Sequence, residues 1–178
     1  MAILDILKYP DPRLKTKAPL VDDIKSADVQ KMIQDMLETL AHTEHCGGLA
    51  ATQLDIKNPR RIFVYNDFDE ANPANGSEPL VIVNPEIIET EGEVYESEGC
   101  MSVYPDAVQA PVKRPAKTTI RAIDQFGAVL ELTRTGYLAK LFQHEIDHLN
   151  GTLYIDHLKP LKRQMVDKKI DKIIKKGK

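Results

Sequence analysis

From Ser26 onward the apolar residues Val29, Met32, Ile33, Met36, Leu37 and Leu40 recur at three- and four-residue steps. That period predicts an amphipathic helix with one buried stripe, its methionines serving as core filler. The helix is expected to run out through His42 to Cys46 and to end at Gly47-Gly48, glycines that let the backbone approach a neighbour closely. β-Branched apolar runs at Arg61 to Tyr65 and Leu80 to Asn84 predict strands, with the polar stretch Asn66 to Pro79 as an exposed loop between them. Further strands are expected at Gly92 to Glu96, Thr118 to Ile123 and Ala128 to Leu132, the last two joined as a hairpin through Asp124 to Gly127. A second helix is expected to start near Thr135-Gly136, carry Leu138, Leu141, Phe142 and Leu149 on one side, and stop at Asn150-Gly151. Beyond Pro160 a third apolar series, Leu161, Met165, Val166, Ile170, Ile173 and Ile174, predicts a C-terminal amphipathic helix.

Strands separated by turns and followed by helices favour an α+β fold: antiparallel sheets packed around a central helix, with one helix before them and one after. A length of 178 residues predicts a single domain over 1–178, large enough to bury a core without disulfides. The prolines at 10, 12 and 19 make the entry segment irregular. No apolar run approaches the roughly 18 residues of a membrane span, and the start does not resemble a signal or transit peptide, so a cytoplasmic protein is expected. The net charge of -3 offers no global reason to bind DNA or other nucleic acid. A local one is possible on the last helix, which carries Lys162, Arg163, Lys168, Lys169, Lys172, Lys175 and Lys176 against only Asp167 and Asp171. Its outer face is either a solvated surface or a patch for an anionic partner such as ribosomal RNA.

Chemistry concentrates in Gln143-His144-Glu145-Ile146-Asp147-His148-Leu149-Asn150-Gly151. Histidines four apart share one helix face and can reach one metal ion, and the glutamate between them is placed to act as a general base. The missing third ligand is sought in Glu98-Gly99-Cys100-Met101-Ser102, where glycine before cysteine lets a turn present a thiolate and the next backbone N–H to one point. His42, His45 and His157 read instead as surface residues. One sulfur and two imidazoles leave a position open and suit zinc or ferrous iron better than calcium or magnesium. An HExxH helix alone would equally serve an enzyme that cuts internal peptide bonds. Gln53, the one long amide after the small residues Leu49-Ala50-Ala51-Thr52, and the Met101 N–H are the donors available for an oxyanion.

CGGLAATQ at 46–53, EGCMS at 98–102 and QHEIDHLNG at 143–151 resemble, in order and spacing, the three signature motifs of peptide deformylases. YPDPRL near the start and the C-terminal helix extend the likeness over nearly the whole chain. The resemblance implies removal of the formyl group from N-formylmethionyl nascent peptides, with one divalent metal per chain. Ferrous iron is the physiological ion it implies, and zinc, nickel or cobalt are alternatives. It also implies Cys100, His144 and His148 as ligands, Glu145 as acid and base, and Gln53 and Met101 at the oxyanion. Gly48 and Leu49 would hydrogen-bond the substrate backbone, Tyr137 and Leu141 would form the methionine pocket, and Glu98 and Arg114 a supporting ion pair. The chain departs from that pattern at Cys46, where glycine is usual, at the longer Val103-Tyr104-Pro105-Asp106 connection, and at Lys140 beside the pocket.

Overall fold

In a computed structural model, which describes residues 2–69, 71–72 and 76–177, seven strands and three α-helices follow one another along the chain. They are α1 (Ala27–His42), β1 (Gly48–Ala50), β2 (Ile62–Phe68), β3 (Ser77–Glu91), β4 (Val94–Glu98), β5 (Ala110–Arg114), β6 (Lys117–Ile123), β7 (Val129–Thr135), α2 (Gly136–Leu149) and α3 (Pro160–Lys176). The expected α+β architecture is observed. Five strands form one antiparallel sheet in the order β1-β2-β3-β6-β7, and β4 pairs with β5 in a separate two-stranded sheet.

Strand alternation explains how that sheet separates two cores. Ile62, Val64, Val81 and Val83 point to one face, where they meet Ile33, Met36 and Leu40 of α1. Phe63, Tyr65 and Ile82 point to the other, against Leu138, Leu141, Phe142, Ile146 and Leu149 of α2. A third core joins the β4–β5 hairpin to the turn at Tyr154–His157 and to α3 through Val112, Tyr154, Ile155, Val166 and Ile170. α2 therefore lies under the large sheet with its metal motif facing the small one.

Several sequence expectations need correction. α1 starts as its capping serine suggests, Ser26 accepting from the Val29 N–H, but it stops at His42 with Thr43 as its cap. The paired glycines lie beyond this end, Gly48 opening β1. Their service is close approach: a Cβ on Gly47 would sit 2.1 Å from the Tyr137 hydroxyl, and one on Gly48 3.1 Å from Glu145 Oε1. The polar stretch after Tyr65 is not all loop, since Asn66, Asp67 and Phe68 continue the ladder opposite Pro79, Glu78 and Ser77. Half-buried positions at a strand's end accept polar side chains, so polarity alone misplaced this boundary. Glu70 and residues 73–75 of that expected loop lie outside the described residues. β5, absent from the expectation, forms by turning Ala110, Val112 and Arg114 inward while Pro111 lies on the other face. On α3 only Val166 and Ile170 are buried, whereas Leu161 and Met165 of the expected stripe are exposed.

Candidate metal centre

The helix α2 is held in place before it offers any chemistry. Gln143, buried, donates to Thr118 Oγ1 at 2.8 Å, to the Pro115 carbonyl at 3.1 Å and to the Ala139 carbonyl at 2.9 Å, tying the helix to β6. The helix ends at Asn150, followed by Gly151 with φ +74°, where a Cβ would collide with the Lys15 carbonyl at 2.4 Å. Thr52 Oγ1 donates to the His148 carbonyl at 2.8 Å and so docks the segment after β1 onto the same turn.

Three buried or nearly buried groups then converge. Cys100 Sγ lies 3.2 Å from His148 Nε2, His148 Nε2 lies 3.2 Å from His144 Nε2, and the three donor atoms fall within 4.8 Å of one another. Behind them His144 Nδ1 meets Glu98 Oε2 at 3.0 Å. Burial pushes the Glu98 carboxyl up, but hydrogen bonds from His144 and Arg114 outweigh it and hold it near 2, so Glu98 stays ionised. It therefore accepts a hydrogen bond from His144 Nδ1–H and leaves Nε2 directed inward. Burial disfavours a charged His144, yet Cys100, Glu98 and Glu145 overcome burial and raise its pKa well above the ordinary range. For His148, burial comes first and the neighbouring His144 and Arg114 add to it, so the ring is held neutral. The chain thus sets a negative field around a point faced by one sulfur and two imidazole nitrogens. That donor set fits a soft or borderline divalent cation, with a fourth position left for water or substrate.

The supporting charges reach the surface. Arg114 holds Glu98 through two bonds of 2.7 and 3.1 Å and extends Nη1 to Asp147 Oδ2 at 2.6 Å. Asp147 in turn meets His157 Nε2 at 2.8 Å. The expected Glu98–Arg114 pair is observed. His157 is exposed as expected but engaged by Asp147, whose role had no sequence signal beyond its place between Glu145 and His148.

Glu145 is buried beside this group, and its Oε2 has no hydrogen-bond partner. Burial, opposed by His144 and a backbone N–H, lifts its carboxyl to about 7. Gln53 Oε1 accepts from the Ala50 N–H at 2.9 Å, which turns Nε2 toward Cys100 Sγ at 3.6 Å and Ser102 Oγ at 3.3 Å. A cavity of about 380 Å³ opens over these atoms, lined by Gly48, Gln53, Met101, Tyr137, Leu141, His144 and Glu145 among others. Every expected site residue except Leu49 lines it or, as with His148, lies beneath it. The Leu49 side chain is fully buried in the α1 core, so only its backbone, on the edge strand β1, can face a ligand. Cys46 also lines the cavity, its thiol donating to the Gly48 carbonyl at 3.2 Å and pushed up to about 12, chiefly by burial.

Comparison with known proteins agrees with this geometry. The family model described as polypeptide deformylase matches residues 3–164. Peptide deformylase 1 of Coxiella burnetii is 47% identical over 173 residues, covering 97% of this chain and 98% of its own. The crystal structure of a peptide deformylase from Legionella pneumophila superposes with a TM-score of 0.83 at 40% identity, covering 98% of this chain and 96% of the other. That of the Ehrlichia chaffeensis enzyme in complex with actinonin gives 0.84 at 33% identity, covering 99% and 98%. The chain belongs to the polypeptide deformylase family.

Proposed function

We propose that residues 1–178 act as one catalytic domain in which Cys100, His144 and His148 hold a single ferrous ion and Glu145 moves the proton. The reaction is the family's: hydrolysis of the formyl group from the N-formylmethionine of newly made peptides, with release of formate. The convergence of three soft donors beside an unpartnered buried glutamate is the observation that carries the assignment of roles. A divalent ion in that donor set acidifies water and polarises a carbonyl.

The chain's own groups supply the rest. Glu145, lifted toward neutrality by burial, takes a proton from the attacking water at physiological pH and returns it to the departing amine nitrogen. The Gln53 amide, fixed by the Ala50 N–H, and the Met101 N–H donate to the carbonyl oxygen as it gains charge, each worth on the order of 3 kcal/mol. The free edge of β1 at Gly48 and Leu49 offers backbone groups to an extended peptide, and Tyr137 and Leu141 give the methionine side chain an apolar wall.

The test is formate release from a formyl-methionyl peptide by iron-loaded protein under anaerobic conditions. Absence of formate rejects the assignment, and cleavage inside a longer peptide replaces it with an endopeptidase. Loss of activity on aeration is expected for iron beside a thiolate; survival points to zinc, nickel or cobalt instead.

The cytoplasmic ribosome is the further partner we infer, through α3. Lys162, Lys168, Lys169, Lys172, Lys175 and Lys176 are all exposed, while Arg163 is taken up internally by Asp156 and Asp167. Replacing Lys168, Lys169 and Lys172 by Glu is expected to weaken salt-sensitive co-sedimentation with ribosomes, and unchanged binding rejects the docking.

A further inference from the structure

The cavity-facing residues of α2 are Tyr137, Lys140, Leu141, His144 and Glu145, the three- and four-residue steps of one helix face. Lys140 is the member of this series with neither an apolar side chain nor a place in the metal site. It is no solvated surface lysine: its side chain is 14% exposed and its ammonium forms a close ion pair with Glu96 on β4. Glu96 and Glu98 are two apart on β4, and Lys140 and His144 are four apart on α2. The strand and the helix therefore face each other through two parallel rungs, Glu98 to His144 and Glu96 to Lys140. Four residues of helix rise ~6 Å, so the Lys140 side chain leaves α2 about one turn before that of His144 and lines the same cavity.

Resting on the deformylase reading, we propose that Lys140, anchored by Glu96, is a specificity-determining residue. It gives the first-side-chain subsite a wall of hydrogen-bond donors, favouring a formylated residue whose unbranched side chain ends in an acceptor over one ending in hydrocarbon. The lysine stem supplies apolar contact along the pocket, and its ammonium carries three donors, of which the Glu96 oxygen takes one. A thioether sulfur is a weak acceptor and a sulfoxide oxygen a strong one, whereas the methylene of norleucine is none. A donor covered by hydrocarbon loses its water without replacement, which is how such a wall discriminates.

The experiment compares kcat/KM on formyl-methionyl, formyl-norleucyl and formyl-methionine-sulfoxide peptides for metal-loaded wild type, Lys140→Met and Lys140→Arg. Lys140→Met keeps the stem and removes the donors; it is expected to shift the sulfoxide-to-norleucine ratio about tenfold toward norleucine, while Lys140→Arg holds it within about threefold. A shift under threefold in Lys140→Met overturns the inference, as does wild-type turnover of the sulfoxide more than about a hundredfold below norleucine. No formate from any of the three peptides overturns the deformylase reading itself, and this inference with it.

Discussion

α2 and α3 announce themselves by the same three- and four-residue spacing, yet they differ in depth. α2 buries nine of its fourteen residues, α3 two of its seventeen. The difference is in what the chain lays over each helix. α2 has the large sheet against one side and β4 with its carboxylates on the other, and most polar groups it carries inward are matched: Gln143 by three acceptors, His144 by Glu98, Asp147 by Arg114 and His157, while Glu145 Oε2 is left unpartnered over the cavity. α3 rests one stripe on the β4–β5 hairpin and the turn at Tyr154–His157 and gives the rest to water. Periodicity states that a helix forms; the covering elements decide whether its polar residues become chemistry or solubility.

The sharpest break of that contrast is a change on α2 that spares the fold. Glu145→Ala removes the proposed proton carrier but no member of the donor set, and is expected to lower formate release by about 10³-fold or more with metal content unchanged. Retained turnover would deny Glu145 its role. Next comes Arg114→Met, which leaves Glu98 and Asp147 facing a buried void of positive charge. Unfolding free energy in urea should drop by about 3–5 kcal/mol, and metal competition with a chelator should show roughly 10–100-fold weaker binding as His144 loses its orientation. Lower stability with undiminished metal affinity would make the network a fold device only.

Sequence legibility follows the same division. The meeting of Cys100, His144 and His148, with Glu145 and the Gln53 amide beside them, was readable because short motifs fix these residues on a helix face or beside a glycine turn. The Glu96–Lys140 rung and the Asp147–His157 link were not, because neither pair shares a helical step or a motif: one spans the α2–β4 contact and the other the turn in which the chain folds back after α2. β5, whose partner β4 lies across a long connection, went unread, and β2 was shortened because Asn66 and Asp67 read as loop although they pair with β3. Leu49 was given a backbone contact in the groove; strand alternation sends its side chain into the α1 core and leaves its backbone on the edge strand β1.

On α3 the effects should be smaller and confined to stability. Ile170, 1% exposed, anchors the helix to the third core, and Ile170→Ala is expected to lower stability by about 2–4 kcal/mol with kcat on a formyl peptide unchanged. A large loss of kcat would make α3 part of the active site's support. Smaller again is the acid edge at Asp156, which accepts from the Leu153 N–H at 2.8 Å and Arg163 Nη1 at 2.7 Å, and pairs closely with Lys15. Burial raises its carboxyl pKa, but these partners outweigh burial and depress it below the ordinary range. A depressed carboxyl contributes its stability above its unfolded value, about pH 4, and loses it as pH falls toward the folded value. Asp156→Asn should therefore lower stability by about 1 kcal/mol at pH 7, and the difference from wild type should shrink below pH 4. A difference that stays constant with pH would assign the effect to packing.

The smallest expected effect tests the outer face of α3. Leu161 and Met165, 74% and 59% exposed, were expected in the buried stripe because they continue its spacing. They are four apart on one side of the helix, while Val166 and Ile170, also four apart, take the side that meets the third core. A helix can present two such series, and the core covers only one. Single exposed apolar residues contribute little to folding, so the double replacement Leu161→Gln, Met165→Gln should change unfolding free energy by no more than about 0.5 kcal/mol, against the several expected for Ile170→Ala. A loss above about 1.5 kcal/mol would mean that this second series is also covered, and α3 would then share the two-sided burial that sets α2 apart.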